Sequence, residues 1–135
     1  MKVKIIDFGY EQMPVRKHYN DTGLDVYLMN DISIKPFEIV QIPIGFGIEL
    51  PDGYNAQFQV RTSVAQKGVF IHQCAIDAGY RGELRMLVQN TTEKVVDFKK
   101  GDRIGYLIVY PVQYIELVKD LGEERGKNWA GSTGR

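Results

Sequence analysis

Apolar residues in this chain recur at every second position, and turn-forming residues interrupt them at short intervals. The stretch "AQFQVR" (56–61) alternates apolar and polar side chains, "ELRMLVQN" (83–90) does so more weakly, and "RIGYLIVYPV" (103–112) is rich in β-branched and aromatic residues. Between such runs lie "NDTG" (20–23), "NDIS" (30–33), "LPDGY" (50–54), "DAGYRG" (77–82) and "KKGD" (99–102), all turn chemistry. Short period-two segments at this spacing predict a compact all-β sandwich or barrel. One helix is expected: "TSVAQKG" (62–68) offers Thr62 or Ser63 as a cap and Gly68 as a stop, for two turns at most. Pro36, Pro43, Pro51 and Pro111 suit strand ends, edges or turns, because proline cannot donate to a sheet ladder.

A chain of 135 residues and 15.4 kDa supports one modest core and predicts one domain. Its 17 basic and 17 acidic residues cancel, so no global field draws it to nucleic acid or membrane, and any polyanion must be met locally. Cys74 is the only cysteine, which excludes an internal disulfide framework or a cysteine-rich zinc site and suits a reducing compartment. The start "MKVKIIDFGY" is too short in apolar residues for a signal peptide, and no segment is long enough to cross a bilayer as a helix. A cytoplasmic, unprocessed protein is the expectation. The stretch from 122 to 135 is polar, glycine-rich and aperiodic, and reads as a mobile arm following a β domain of residues 1–121.

Three groups carry anion-binding chemistry. Arg61-Thr62-Ser63 stands where a strand meets the expected helix, Arg81 and Gly82 follow the Asp77 loop, and Arg125, Gly131, Ser132 and Thr133 group in the arm. Taken singly, Ser63 is equally a helix cap and Arg61 an exposed strand-end charge. Asp25 and Asp77 lie beside apolar residues, so their ionised forms call for hydrogen bonds, a cation or water. Capping a turn is the plainer role for each. His18 and His72 are too far apart in sequence to form a recognisable ligand pair, and Cys74 reads as a small apolar residue. Tyr80, in a glycine-flanked turn, is placed to lie against a sugar or base, and Trp129, in the polar arm, to close over a ligand.

Taken in order, these groups resemble the five motifs of the trimeric dUTPases. "DTGLDVYL", "VRTSVAQKG", "AIDAGYRGEL", "KGDRIGYLIVYPV" and "RGKNWAGSTG" look like motifs one to five, and "IGFGIELPDGY" before motif two also fits. The resemblance implies a jelly-roll-like β-clip subunit in a homotrimer, with active sites at subunit interfaces and the arm closing over them. It implies hydrolysis of dUTP to dUMP and pyrophosphate with Mg2+. By motif position Asp77 would orient the water that attacks the α-phosphorus, Tyr80 would pack on the deoxyribose, and Asp25 would hold hydrated Mg2+. Arg61, Thr62, Ser63, Arg125, Gly131, Ser132 and Thr133 would meet phosphates, and "HQCA" (72–75) with Ile76 would shape the uracil pocket beside Cys74.

The pattern also departs from the family. Tyr106 follows "GDRIG" where the family usually has glutamine after "GDRIA", Thr62 stands where serine is common, and Trp129-Ala130 replaces Gly-Phe. Trp129 would then stack from one residue earlier. A dCTP deaminase shares the turn and the strand after it but needs a glutamate where this chain has Leu87, which disfavours deamination. A pyrophosphatase of other base selectivity and a nucleotide-binding regulatory protein remain alternatives.

Overall fold

A computed structural model describes residues 1–122 of the chain. The described residues form ten strands and one short helix in the order β1 (Lys4–Asp7), β2 (Leu24–Val26), β3 (Ile32–Ile34), β4 (Ile39–Pro43), β5 (Phe46–Glu49), β6 (Tyr54–Val60), α1 (Thr62–Ala65), β7 (Val69–His72), β8 (Arg85–Asn90), β9 (Val96–Phe98) and β10 (Gly105–Pro111). The all-β, jelly-roll-like expectation holds. Two three-stranded sheets, ordered β2-β10-β6 and β4-β8-β7, combine with the pairs β1-β5 and β3-β9, every pairing antiparallel.

The three runs legible in the sequence became β6, β8 and β10. On β8, Met86, Val88 and Asn90 turn inward while Arg85, Leu87 and Gln89 turn away, as a half-buried strand requires. Ala56 and Phe58 of β6 and Leu107 of β10 join Ile34, Leu84, Val69 and Ile104 in one core. β5 shows no alternation because Phe46, Gly47 and Ile48 are all buried, with both its faces covered. Gly68 ends the helical turn with a left-handed φ of 81°, as expected. The expected cap is different: Arg61 occupies the N-cap position and no side chain caps the turn, so the Thr62 and Ser63 hydroxyls remain uncommitted to it.

Among the described residues, one polar side chain sits inside the core. Asn90 is fully buried, and its Nδ2 donates to the carbonyls of Ile34 (3.0 Å), Lys35 (3.2 Å) and Lys94 (2.7 Å). Its Oδ1 accepts from the backbone N–H (2.9 Å) and hydroxyl (2.8 Å) of Thr92. A buried amide needs all of these partners, and it ties the end of β8 to the β3–β4 and β8–β9 connections.

Candidate active site

The sheet β2-β10-β6 delivers residues from distant parts of the sequence to one end. Tyr106 of β10 lies opposite Asp25 of β2 and, on its other side, opposite Gln59 of β6, so the three side chains form a row on one face. Arg61 leaves β6 at the same end. Its backbone N–H donates to the Ile104 carbonyl (3.0 Å) and its guanidinium to the Arg103 carbonyl (2.9 Å). Arg103 in turn donates to Asp25 Oδ2 at 3.1 Å, a pair that is largely shielded from water.

These groups frame a cleft of about 450 Å³. Asp25, Arg61, Thr62 and Ser63 line it, with Arg103 and Tyr106 from β10 and its approach, and Lys17, Asp21, Thr22 and Gly23 from the loop before β2. Gly23 has a steric reason: a β-carbon there would stand 2.4 Å from a Tyr106 ring carbon and 2.7 Å from the Leu107 carbonyl oxygen. Three cationic side chains, two hydroxyls beside an uncapped helical turn, and two carboxylates make this a site for a polyanion, with oxygen ligands at hand for a hard cation.

Asp77, Tyr80, Cys74 and Ile76 lie elsewhere. Ile76 pairs with Ala56 on β6 through backbone bonds of 2.8 and 3.1 Å, which places the Asp77 loop near the start of that strand. Arg61 follows its far end. Five residues at about 3.3 Å each separate the two groups by roughly 16 Å along β6. The carboxylate of Asp77 is exposed, so in the single subunit water meets its charge and the expected burial cost does not arise. Cys74 is exposed too, not a core residue.

The glycine-rich turn works for Tyr80. Its hydroxyl donates to the Glu83 carbonyl (2.9 Å), and the ring lies so close over Gly82 that a β-carbon there would meet the tyrosine oxygen at 2.4 Å. Tyr80 therefore stands fixed yet 48% exposed, presenting ring surface to whatever covers the loop. Arg81 differs from expectation: its guanidinium donates to the Ala78 (2.5 Å) and Tyr80 (3.2 Å) carbonyls, so it braces its own turn. Arg125, Trp129, Gly131, Ser132 and Thr133 lie outside the described residues.

Sequence reasoning missed Arg103, Lys17 and Asp21. Arg103 was legible only as part of the β10 run; its signal is the position immediately after the "KKGD" turn, where a strand-entry cation faces the neighbouring strand's Asp25. Lys17 and Asp21 sit in an irregular loop with no periodicity to reveal them.

Fold and cleft together define an all-β protein whose sheet end carries a cleft with the chemistry to receive a polyanion. Comparison narrows the class. A family model described as dUTPase matches residues 10–134. A deoxyuridine 5'-triphosphate nucleotidohydrolase of a Hydrogenobaculum species is 39% identical over 84% of this chain and 83% of that protein. Another, from Orientia tsutsugamushi, is 38% identical over 99% of both. Among solved structures, the dUTPase of Staphylococcus bacteriophage 80alpha shares the fold with a TM-score of 0.84 at 23% identity, covering 91% of this chain and 98% of the other. The chain belongs to the dUTPase family.

Proposed function

We propose that this protein hydrolyses dUTP to dUMP and pyrophosphate, with a water molecule oriented by Asp77 attacking the α-phosphorus. The carrying observation is that the fold collects Asp25, Arg61, Thr62 and Ser63, four residues that the motif resemblance assigns to phosphate and metal, around one cleft. Phosphoryl transfer asks for positioning and charge neutralisation more than for a covalent protein intermediate. Arg61 neutralises charge on the phosphate chain, the Thr62 and Ser63 hydroxyls donate to its oxygens, and Arg103 holds Asp25 in place. Asp77 accepts the proton of the attacking water, and Tyr80 gives the deoxyribose a flat surface.

Among the described residues, no three histidine, cysteine, aspartate or glutamate side chains gather to hold an ion. Asp25, with Asp21 lining the same cleft, suits an ion whose remaining ligands are phosphate oxygens and water, the habit of Mg2+. Bound there, Mg2+ would offset charge on the phosphates. Arg125, Gly131, Ser132 and Thr133, in the arm of residues 122–135, complete the phosphate contacts in this reading, and Trp129 covers the base.

We infer a homotrimer with shared sites. Support comes from the placement of the Asp77 loop and the Arg61 cleft at opposite ends of β6, roughly 16 Å apart along the strand, an arrangement that suits a site completed by the Asp77 loop of another copy. Further support is the segment after β10, where Ile115, Leu117 and Leu121 are 77%, 89% and 92% exposed, apolar side chains that no other described residue of the single subunit covers. No helix among the described residues is long and apolar enough to cross a membrane.

The test is pyrophosphate release by purified protein with Mg2+, comparing dUTP, dCTP and dTTP. We expect dUTP to be preferred by at least about a hundredfold in kcat/KM, since a site that hydrogen-bonds a base rejects one lacking the matching groups. Equal rates with dCTP would remove the uracil assignment, and no release from any of the three would remove the enzymatic one.

A further inference from the structure

Tyr106 is tied into a chain of hydrogen bonds that the motif resemblance does not supply. Its hydroxyl donates to Gln59 Oε1 at 3.0 Å, and Gln59 Nε2 donates to the Tyr110 hydroxyl at 3.0 Å. The ring forms part of the wall of the anion cleft beside Asp25, Arg61 and Ser63, and Gly23 leaves it room. Gln59, beside Tyr106 on the same face, also lines a second hollow with Phe70 and His72. The three polar groups therefore run along one face of the sheet from the cleft to that neighbouring hollow.

Such a chain has two self-consistent directions. A phenol has one proton to give and lone pairs to receive, and an amide presents a donor at one end and an acceptor at the other. In the direction described, the Tyr106 proton is committed to Gln59, and the phenol oxygen offers the cleft lone pairs only. If the Gln59 amide reverses, Nε2 donates to the Tyr106 oxygen, Oε1 accepts from the Tyr110 hydroxyl, and the Tyr106 proton is released toward the cleft. The number of hydrogen bonds among the three residues is unchanged, so reversal costs little. An anion arriving in the cleft rewards the reversed direction, because a phenol O–H to a phosphate oxygen is a charge-assisted hydrogen bond.

We propose that Tyr106 is a substrate-binding residue of this chain: it donates a hydrogen bond to the polyphosphate in the cleft, with Gln59 and Tyr110 reversing to release its proton. The inference rests on the reading of the cleft as a phosphate site. It concerns the phosphate chain and not the base, so inorganic tripolyphosphate with Mg2+ probes it separately from turnover of dUTP.

Three proteins are compared by calorimetric titration of Mg-tripolyphosphate into the full chain: wild type, Tyr106→Phe and Gln59→Leu. Both variants break the Tyr106–Gln59 bond, but only the first removes the donor to the anion. Tyr106→Phe is expected to bind about tenfold more weakly than wild type, the scale of one hydrogen bond to a charged group. Gln59→Leu is expected to stay within about threefold of wild type, and at least threefold tighter than Tyr106→Phe. Tyr106→Gln, which restores a donor on a side chain of similar reach, should recover part of the loss. Any smaller gap between Tyr106→Phe and Gln59→Leu overturns the proposal, as does failure of the wild type to bind. Wild-type protein that binds tripolyphosphate with this pattern yet leaves dUTP intact overturns the proposed reaction and leaves the role of Tyr106 standing.

Discussion

Asp77 stands in water and Asp25 stands against a guanidinium, and neither fact is written in the residues that flank them. The sequence shows both carboxylates beside apolar neighbours, which suggests burial for both. The structure separates them: Asp25 meets Arg103 across a strand pair, while Asp77 projects from a loop joined to β6 by the Ile76 bridge. In the proposed reaction this exposed carboxylate serves as the base once a substrate is placed against it. Asp77→Asn keeps shape and hydrogen-bonding capacity and removes the base. Its kcat should fall by about a thousandfold while affinity for a non-hydrolysable dUTP analogue changes less than about threefold; rapid-quench turnover and calorimetry check this, and near-normal kcat would strike Asp77 from the mechanism. Gly82 yields a companion prediction. A methyl group there collides with the Tyr80 hydroxyl at 2.4 Å and evicts the ring from its seat on Glu83. Because the displaced atom ends a movable side chain, Gly82→Ala should fold normally, with a Tm within a few degrees of wild type. Its KM for dUTP should rise about tenfold as the sugar loses its platform, and an unchanged KM would show that Tyr80 contacts no substrate.

Strands long enough to show their period were legible, and the rest were not. β6 and β10 span seven residues each and declare themselves in the sequence. β2, β3 and β9 have three residues, too few for an alternation to register, and they exist because a longer neighbour or a partner of equal length supplies their hydrogen bonds. β5 hides for another reason, since burial of both faces removes the pattern. Asn90 shows how much non-local information is lost in this way: at the end of an apolar strand it reads as a turn residue, yet it is the clamp on which two connections converge. Replacing it with leucine leaves the buried Ile34 carbonyl, and the part-buried Lys35 and Lys94 carbonyls and Thr92 N–H, without that partner. Asn90→Leu should therefore destabilise the protein by about 3 kcal/mol, lowering Tm by roughly 10 °C. Circular dichroism during heating measures it. A shift below 2 °C would mean that water reaches those groups after all.

At the scale of the whole molecule, the motifs were readable and their arrangement was not, because a linear order of motifs carries no statement of which subunit provides each. Motifs one, two and four meet around one cleft through the register of β2, β10 and β6, whereas motif three emerges at the other end of β6. In the proposed homotrimer a closed ring of identical copies would bring one subunit's Asp77 loop to its neighbour's Arg61 cleft, a heterologous contact repeated at each interface. The arrangement makes a prediction that no single-subunit site makes. Asp77→Asn and Arg61→Ala should each be nearly inactive alone. Mixed by unfolding and refolding at equal amounts, they generate sites in which an intact Asp77 from an Arg61→Ala subunit faces an intact Arg61 from an Asp77→Asn subunit. Random assembly gives each site a half chance of either requirement, so activity should recover to about a quarter of the wild-type value. Recovery must also depend on subunit exchange, so mixing the two folded proteins without unfolding should restore activity only as fast as trimers dissociate. If refolded mixtures stay as inactive as their parents, Asp77 and Arg61 act within the same subunit, from the two ends of β6, and the shared-site architecture is wrong.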